Sequence, residues 1–139
     1  MNTLTIEQLH FCVTSMLVGL IWTIQLVHYP SFRYIEESKF VSFHSFHSTS
    51  ISYLVLPLML IELAATLFLL IQSDYSIVYV VCMILVILIW ASTFMLSVPC
   101  HNILLKGKND EVINKLVITN WPRTILWSAK GVIVSTLLV

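Results

Sequence analysis

Residues 41–63 read VSFHSFHSTSISYLVLPLMLIEL, a stretch with the length and apolar character of a membrane-spanning helix. His44 and His47 lie near its start, and because they are three residues apart they share one face of a helix. Glu62 follows His47 by 15 residues, which is about 22 Å along a straight helix. A carboxylate at that depth costs roughly 2.5–3.5 kcal/mol on insertion scales, so it needs a partner or a function.

The composition of the chain is that of an integral membrane protein with a single domain. Of its 139 residues, 58% are hydrophobic and 10% are charged, whereas soluble domains average about 25% charged residues. The formal net charge is zero, so the chain lacks the basic excess by which proteins bind nucleic acid. We therefore expect the lipid bilayer to be its main partner. The composition does not determine an oligomeric state.

Four apolar segments predict an all-α protein, a four-helix transmembrane bundle with both termini on the same side of the membrane. A helix of roughly 17–25 apolar residues crosses the hydrocarbon core. The predicted spans cover about residues 6–28, 43–72, 77–98 and 121–139.

Prolines and cap residues suggest where these helices begin and end. Pro30 is expected to end the first span and Pro99 the third, because proline lacks a backbone N–H and clashes with the preceding turn. Pro122 is expected in the first turn of the fourth span. Before it, Asn109 or Asp110 could cap a short, separate amphipathic helix.

Basic residues lie on one side of this predicted topology. The longer loops and the start of the fourth span contain Arg33, Lys39, Lys106, Lys108, Lys115 and Arg123, and the side of the termini has no Lys or Arg. By the positive-inside rule the loops face the cytoplasm and the termini face out. We therefore expect a multi-pass protein of the inner (cytoplasmic) membrane.

The same topology brings four histidines to one level of the membrane. His28 ends the first span, His44 and His47 begin the second, and His101 follows the third. Imidazoles from several helices are suitable ligands for Zn, Cu, Fe or haem. The HxxH spacing is not diagnostic, so two alternatives stay open. The rings could instead bind water and lipid head groups, or carry out acid–base chemistry without a metal.

Other polar residues at this level predict a ligand pocket beside the histidines. Gln25 is three residues before His28 and shares its helical face. Asn120 and Arg123 begin the fourth span, where Arg123 offers a planar fork for an anionic or oxygen-rich group. Trp121 could stack on a planar ligand or belong to the aromatic belt of the membrane interface.

A second polar level is predicted toward the other end of the bundle. His10 is 18 residues before His28, and Glu62 is 15 to 18 residues beyond the HxxH pair, so both lie about 22–27 Å from the histidine level. Lys130 is the other intramembrane charge. We expect Glu62 to be paired with His10, or alternatively with Lys130, in a structural role more readily than a catalytic one.

Two segments resemble the small four-helix bacterial membrane proteins grouped around the anthrone oxygenase-like family. VPCHN at residues 98–102 is similar to the family's VP-x-N-N segment, and NWPRT at residues 120–124 is similar to its N-x-x-R-T segment. His101 replaces the asparagine that is usual in the family. The resemblance implies a four-helix fold and the oxygenation of a lipophilic polycyclic aromatic. It implies no set of catalytic residues.

Together these features favour a small membrane oxidoreductase, oxygenase-like, that acts on a lipophilic small molecule. The alternative is a non-enzymatic membrane protein that binds a metal or haem, or a partner subunit whose polar residues only hold its helices together.

The predicted orientation can be tested with fusions at the C-terminus. If the termini face out, alkaline phosphatase fused there is active and green fluorescent protein fused there is dark. The reverse pattern would contradict the orientation and move the histidine level to the outer face.

Overall fold

The computed structural model describes residues 3–137, which form four long helices and no strand. Helix α1 runs through Thr3–Thr23, a π-helical turn at Ile24–His28, Tyr29–Ser31 and a 3-10 turn at Phe32–Tyr34; α2 is Glu37–Gln72. Helix α3 comprises Ile77–Ser92, a π-helical turn at Thr93–Ser97 and Val98–Leu104, and α4 is Asp110–Thr136.

The helices form an up-and-down bundle in which α1 and α3 each pack against both α2 and α4. The described ends of the chain therefore lie together at one end of the bundle, which we call the terminal end. The α1–α2 and α3–α4 connections lie at the opposite end, which we call the loop end. The predicted all-α four-helix bundle is confirmed.

Three of the helices are long and apolar enough to cross a membrane, over Thr5–Tyr34, Glu37–Gln72 and Ile77–Leu104. Helix α4 is not among them, because it begins with polar turns and carries Arg123 and Lys130 further along. The predicted fourth span over 121–139 stays a prediction, and its last two residues lie outside the described part of the chain.

Pro30 and Pro99 do not end their helices, which corrects the predicted boundaries of the first and third spans. Each lies two residues after a π-helical turn, where hydrogen bonds run over five residues instead of four. The Tyr29 N–H thus donates to the Ile24 carbonyl, and the Val98 N–H to the Thr93 carbonyl. The wider turn accommodates the ring that would clash with an ordinary helical turn, so both helices continue.

The loops are shorter than predicted because helices extend into them. Helix α2 begins at Glu37 rather than near residue 43. Asn109 caps α4 as expected, its side chain accepting from the Val112 N–H. However, α4 continues without a break, so Pro122 lies inside the helix rather than in its first turn. The predicted short amphipathic helix is the beginning of α4, and its Ile113 is fully buried in the core.

Hydrogen bonds join the two connections at the loop end. The Lys108 ammonium donates to the carbonyls of Arg33 and Ile35, each at 2.9 Å. Arg33 in turn donates twice to the Asn114 side-chain oxygen, at 2.7 and 3.0 Å. These bonds hold the start of α4 against the end of α1, close to the four histidines.

Candidate functional site

The two π-helical turns lie at the same level and supply facing walls of one cavity. Ile24 and Tyr29 come from the α1 turn and the residue after it, while Thr93, Ser97 and residues just beyond come from the α3 turn. Single π-turns inside α-helices are frequent at functional sites, because the extra residue changes the direction of the side chains that follow. Here both turns direct polar side chains at the cavity.

The cavity has a volume of about 230 Å³ and is mostly apolar. Its mouth is bordered by Leu56, Phe94 and Val98, which are exposed on the outside of the bundle. These residues are apolar and belong to helices long enough to cross a membrane, so the surface around the mouth is suited to contact with lipid. The wall residues are Ile24, Tyr29, Ile51, Ser52, Val55, Leu56, Met59, Trp90, Thr93, Phe94, Ser97, Val98, His101 and Arg123.

The four predicted histidines do come together, but as two hydrogen-bonded pairs. His28 Nε2 lies 2.6 Å from His47 Nδ1, and His44 Nε2 lies 3.0 Å from His101 Nδ1. The centres of the His44 and His47 rings, which belong to different pairs, are 6.4 Å apart. Phe32 lies among them, with its ring centre 5.4 Å from that of His44 and 5.2 Å from that of His47.

This arrangement differs from a metal site formed by the four histidines. Two nitrogens bound to one tetrahedral zinc at 2.0–2.1 Å lie about 3.3 Å apart, farther than either paired contact here. Among residues 3–137, no group of three or more His, Cys, Asp or Glu side chains could hold a metal ion. Two imidazole nitrogens, His44 Nδ1 and His47 Nε2, are nevertheless buried without a hydrogen-bond partner. The predicted metal ligands thus converge without forming a site of three or four ligands.

A hydrogen-bond chain leads from the cavity to His44. The Tyr29 hydroxyl lies 3.1 Å from His101 Nε2, and His101 continues to His44 through its other nitrogen. If Tyr29 donates to His101 Nε2, then His101 Nδ1–H donates to His44 Nε2. In that case the hydrogen of the neutral His44 ring lies on its buried Nδ1, which has no acceptor. If the rings donate in the other direction, His44 presents only a lone pair. The second arrangement avoids an unsatisfied donor and leaves the Tyr29 proton free to face the cavity.

Arg123 is the charged residue of the cavity wall, and only 8% of it is exposed. Its guanidinium donates to the Ser97 hydroxyl. Arg123 is the member of the predicted ligand pocket that lines this cavity. The polar end of the cavity is therefore made by Tyr29, Ser97, His101 and Arg123, from three helices.

The other three residues of the predicted ligand pocket lie elsewhere. The Asn120 amide donates to the Gln25 side-chain oxygen at 2.8 Å, and the Gln25 amide donates to the Val117 carbonyl. These buried bonds join α1 to α4 and leave Gln25 away from His28. Trp121 packs edge-on against Trp22, with ring centres 5.9 Å apart, and is 40% exposed. It is a surface aromatic residue rather than part of the cavity wall.

At the opposite level, the structure brings His10, Glu62 and Lys130 together, all fully buried. The Lys130 ammonium contacts one Glu62 oxygen directly and lies 2.7 Å from His10 Nε2 and 3.3 Å from the Thr66 hydroxyl. His10 is 3.4 Å from the same carboxylate oxygen. Lys130 is thus the direct partner of Glu62, and His10 with Thr66 satisfies the remaining donors of the ammonium.

Sequence reasoning missed Tyr29, Ser97 and Thr66. Tyr29 gave no prediction of its own, although its place beside His28 was a signal. Thr66 is four residues after Glu62 and therefore shares its helical face. The sequence around Ser97 carried no signal. Its side chain faces the cavity because the π-helical turn that ends at this residue sets its direction.

Comparisons with protein-family models, with curated proteins and with solved structures find no match to this chain. The resemblance to anthrone oxygenase-like proteins accordingly stays a prediction. The arguments for a function come from the cavity and the polar side chains around it.

The buried ion pair predicts an asymmetry between single and double substitutions. Replacing only Lys130 with Met leaves a buried carboxylate without its cation and should cost about 3–5 kcal/mol, whereas replacing Lys130 with Met and Glu62 with Leu together should cost much less. Thermal unfolding of the detergent-solubilised protein measures both. Lys106→Met is a control at an exposed lysine of the loop end. Equal losses in the single and double variants would show that the two charges do not stabilise each other.

Proposed function

We propose that the protein is a small membrane oxidoreductase that takes a lipophilic molecule from the bilayer into the cavity. There it exchanges a proton with the oxygen-bearing head group of that molecule through Tyr29, His101 and His44. The observation that carries the proposal is the position of this hydrogen-bond chain, which begins at the polar end of an otherwise apolar cavity open toward lipid.

Acid–base chemistry of this kind needs a proton path, because the interior of a membrane-spanning bundle is poor in water. Imidazole is suited to it, since one ring nitrogen can accept a proton while the other donates one. Oxidation of the head group begins with the loss of a proton. The chain offers a route for this proton from Tyr29 to His101 and His44 in the arrangement in which Tyr29 donates to His101. The guanidinium of Arg123 would stabilise the negative charge that develops on the head-group oxygen.

The family resemblance supports the reaction class. An anthrone carries a methylene group opposite its carbonyl, and oxygenation converts the methylene to a second carbonyl. Molecular oxygen is the oxidant: one of its atoms becomes the new ketone oxygen, and the other leaves as water with the two hydrogens of the methylene. The enol tautomer carries one of these hydrogens on its oxygen, at the polar end of the cavity. Tyr29 would take this proton while passing its own to His101, and the resulting enolate oxygen would face Arg123. The proton would then return to the oxygen atom that leaves as water.

The proposal predicts that Tyr29→Phe lowers turnover of a hydroxylated tricyclic anthrone by about 10²-fold or more, the range that a positioned acid or base contributes. Formation of the quinone, followed by its absorbance together with oxygen uptake, measures this in mild detergent. Tyr34→Phe is a matched control on the same helix, because Tyr34 is 87% exposed. Wild-type protein that does not exceed the buffer rate would contradict the oxygenase assignment, and full activity in Tyr29→Phe would contradict the proton path.

The second candidate is a membrane protein that binds a transition metal (Zn, Cu or Fe) or haem without catalysis, or a partner subunit. One observation favours metal binding: His44 Nδ1 and His47 Nε2 are buried and lack hydrogen-bond partners. Neutral imidazole nitrogens in that condition are available to a metal.

Metal and haem content after gentle purification distinguishes the two candidates. If His44 and His47 hold a metal, His44→Ala or His47→Ala lowers bound metal 10-fold or more, as even changes outside the ligand set cost 10–100-fold. His10→Ala, at the other polar level, should leave the content unchanged. Wild-type protein without stoichiometric metal or haem would contradict this second candidate.

A further inference from the structure

We infer that the molecule bound in the cavity is a lipophilic monoanion with a single apolar body, a carboxylate or a phenolate, whose charge is held by Arg123. The inference rests on the proposed function and names the substrate class for the same site. It follows from the charges of the bundle interior, the donors at the polar end of the cavity and the position of its mouth.

The first step is that Arg123 has no counter-charge within the described part of the chain. The ion pairs there join Lys130 and His10 to Glu62, and Lys39 to Glu36. Of the remaining carboxylates, Glu7 accepts a hydrogen bond from Tyr79 on a helix that begins at the terminal end. Glu37, Asp74, Asp110 and Glu111 are exposed. A guanidinium stays ionised in proteins, so Arg123 brings an unpaired positive charge into the bundle.

The second step is the contrast with Lys130, the other buried cation. The fold supplies Lys130 with a carboxylate, an imidazole and a hydroxyl. It supplies Arg123 with two neutral hydroxyls, those of Ser97 and Tyr29, and with a cavity. A buried charge without a partner is costly, and an anion entering the cavity would remove that cost. The unpaired charge therefore favours an anionic ligand over a neutral one.

The third step concerns the other groups at the polar end. Ser97 accepts from Arg123, so its own hydrogen is free to donate. The Tyr29 proton also faces the cavity in the tautomer arrangement that leaves no unsatisfied donor at His44. An oxygen anion at this position would meet the guanidinium fork and two hydroxyl donors. Carboxylates and phenolates have oxygens that accept such bonds, and the planar fork matches a carboxylate in two places.

The fourth step is the shape of the site. A volume of about 230 Å³ accommodates a small head group with the adjoining part of an apolar body. The rest would leave past Leu56 and Phe94, which are exposed toward the hydrocarbon. A single acyl chain or a fused-ring system fits that geometry better than a phospholipid, whose glycerol carries two acyl chains besides the phosphate. The ligand is therefore a lipophilic organic acid.

The test compares charged and neutral forms of the same probes in non-ionic detergent. The probes are oleate with its methyl ester, and a hydroxyanthraquinone with its methyl ether, while dioleoylphosphatidylglycerol serves as the phospholipid probe. Native mass spectrometry or ligand-dependent thermal stabilisation measures binding. Wild-type protein should bind at least one acid 10-fold or more tightly than its neutral partner. Which of the two acids binds distinguishes a carboxylate from a phenolate ligand.

Arg123→Gln should remove this preference while the neutral partner binds as in wild type, which also shows that the variant is folded. Arg33→Gln, at an exposed arginine of the loop end, should keep the preference. Equal binding of acid and neutral partner by wild type, or binding of the phospholipid alone, would overturn the inference even if Arg123→Gln fails to fold. If wild-type protein prefers the acid but shows no turnover of the anthrone, the proposed reaction is contradicted and the inferred class of ligand is not.

Discussion

The interior of a membrane-spanning bundle is poor in water, so a buried polar group is costly unless it finds a partner in the chain or in a ligand. Lys130 pairs with one oxygen of Glu62, and His10 and Thr66 complete the shell of the ammonium. Between α1 and α4, the Asn120 amide donates a hydrogen bond to the Gln25 side-chain oxygen, which gives each side chain one of its partners. Against this background Arg123 differs from Lys130, because it is a buried cation without a counter-charge in the described part of the chain. The same physical constraint that makes one cation structural makes the other the strongest indication of a ligand.

The backbone obeys the same constraint at two of its four prolines. A proline inside a buried helix removes a hydrogen bond and crowds the carbonyl four residues earlier. Both Pro30 and Pro99 are preceded by a π-helical turn that relieves the crowding. The two π-helical turns face the same cavity, so the turns that accommodate the prolines also determine the shape of the site. Tyr29 follows the first turn directly, and His101 follows the second by one helical turn.

The four histidines show that a cluster of imidazoles can form hydrogen-bonded pairs instead of a metal site. Four imidazoles at one level suggest a metal site, but a ring can also satisfy its neighbour, because it is both donor and acceptor. In this bundle the nitrogens pair with one another, and the His44–His101 pair extends to Tyr29. Such a chain transmits protons between the cavity and a buried ring. The two nitrogens that remain without partners, on His44 and His47, are where a metal would bind if the second candidate function holds.

By itself the sequence determined the class of the fold and the levels of its polar residues. The apolar segments require helices in a membrane. With the predicted topology, helical rise places His10 at the depth of Glu62 and the four other histidines at one level. Helix ends were predicted wrongly at Pro30 and Pro99, because local propensity does not reveal a π-helical turn. The pairing of imidazoles, the separation of Gln25 and Asn120 from the cavity and the isolation of Arg123 were decided only by the tertiary structure. These depend on which faces of the four helices meet, and a shift of one residue in a helix rotates every following side chain by about 100°.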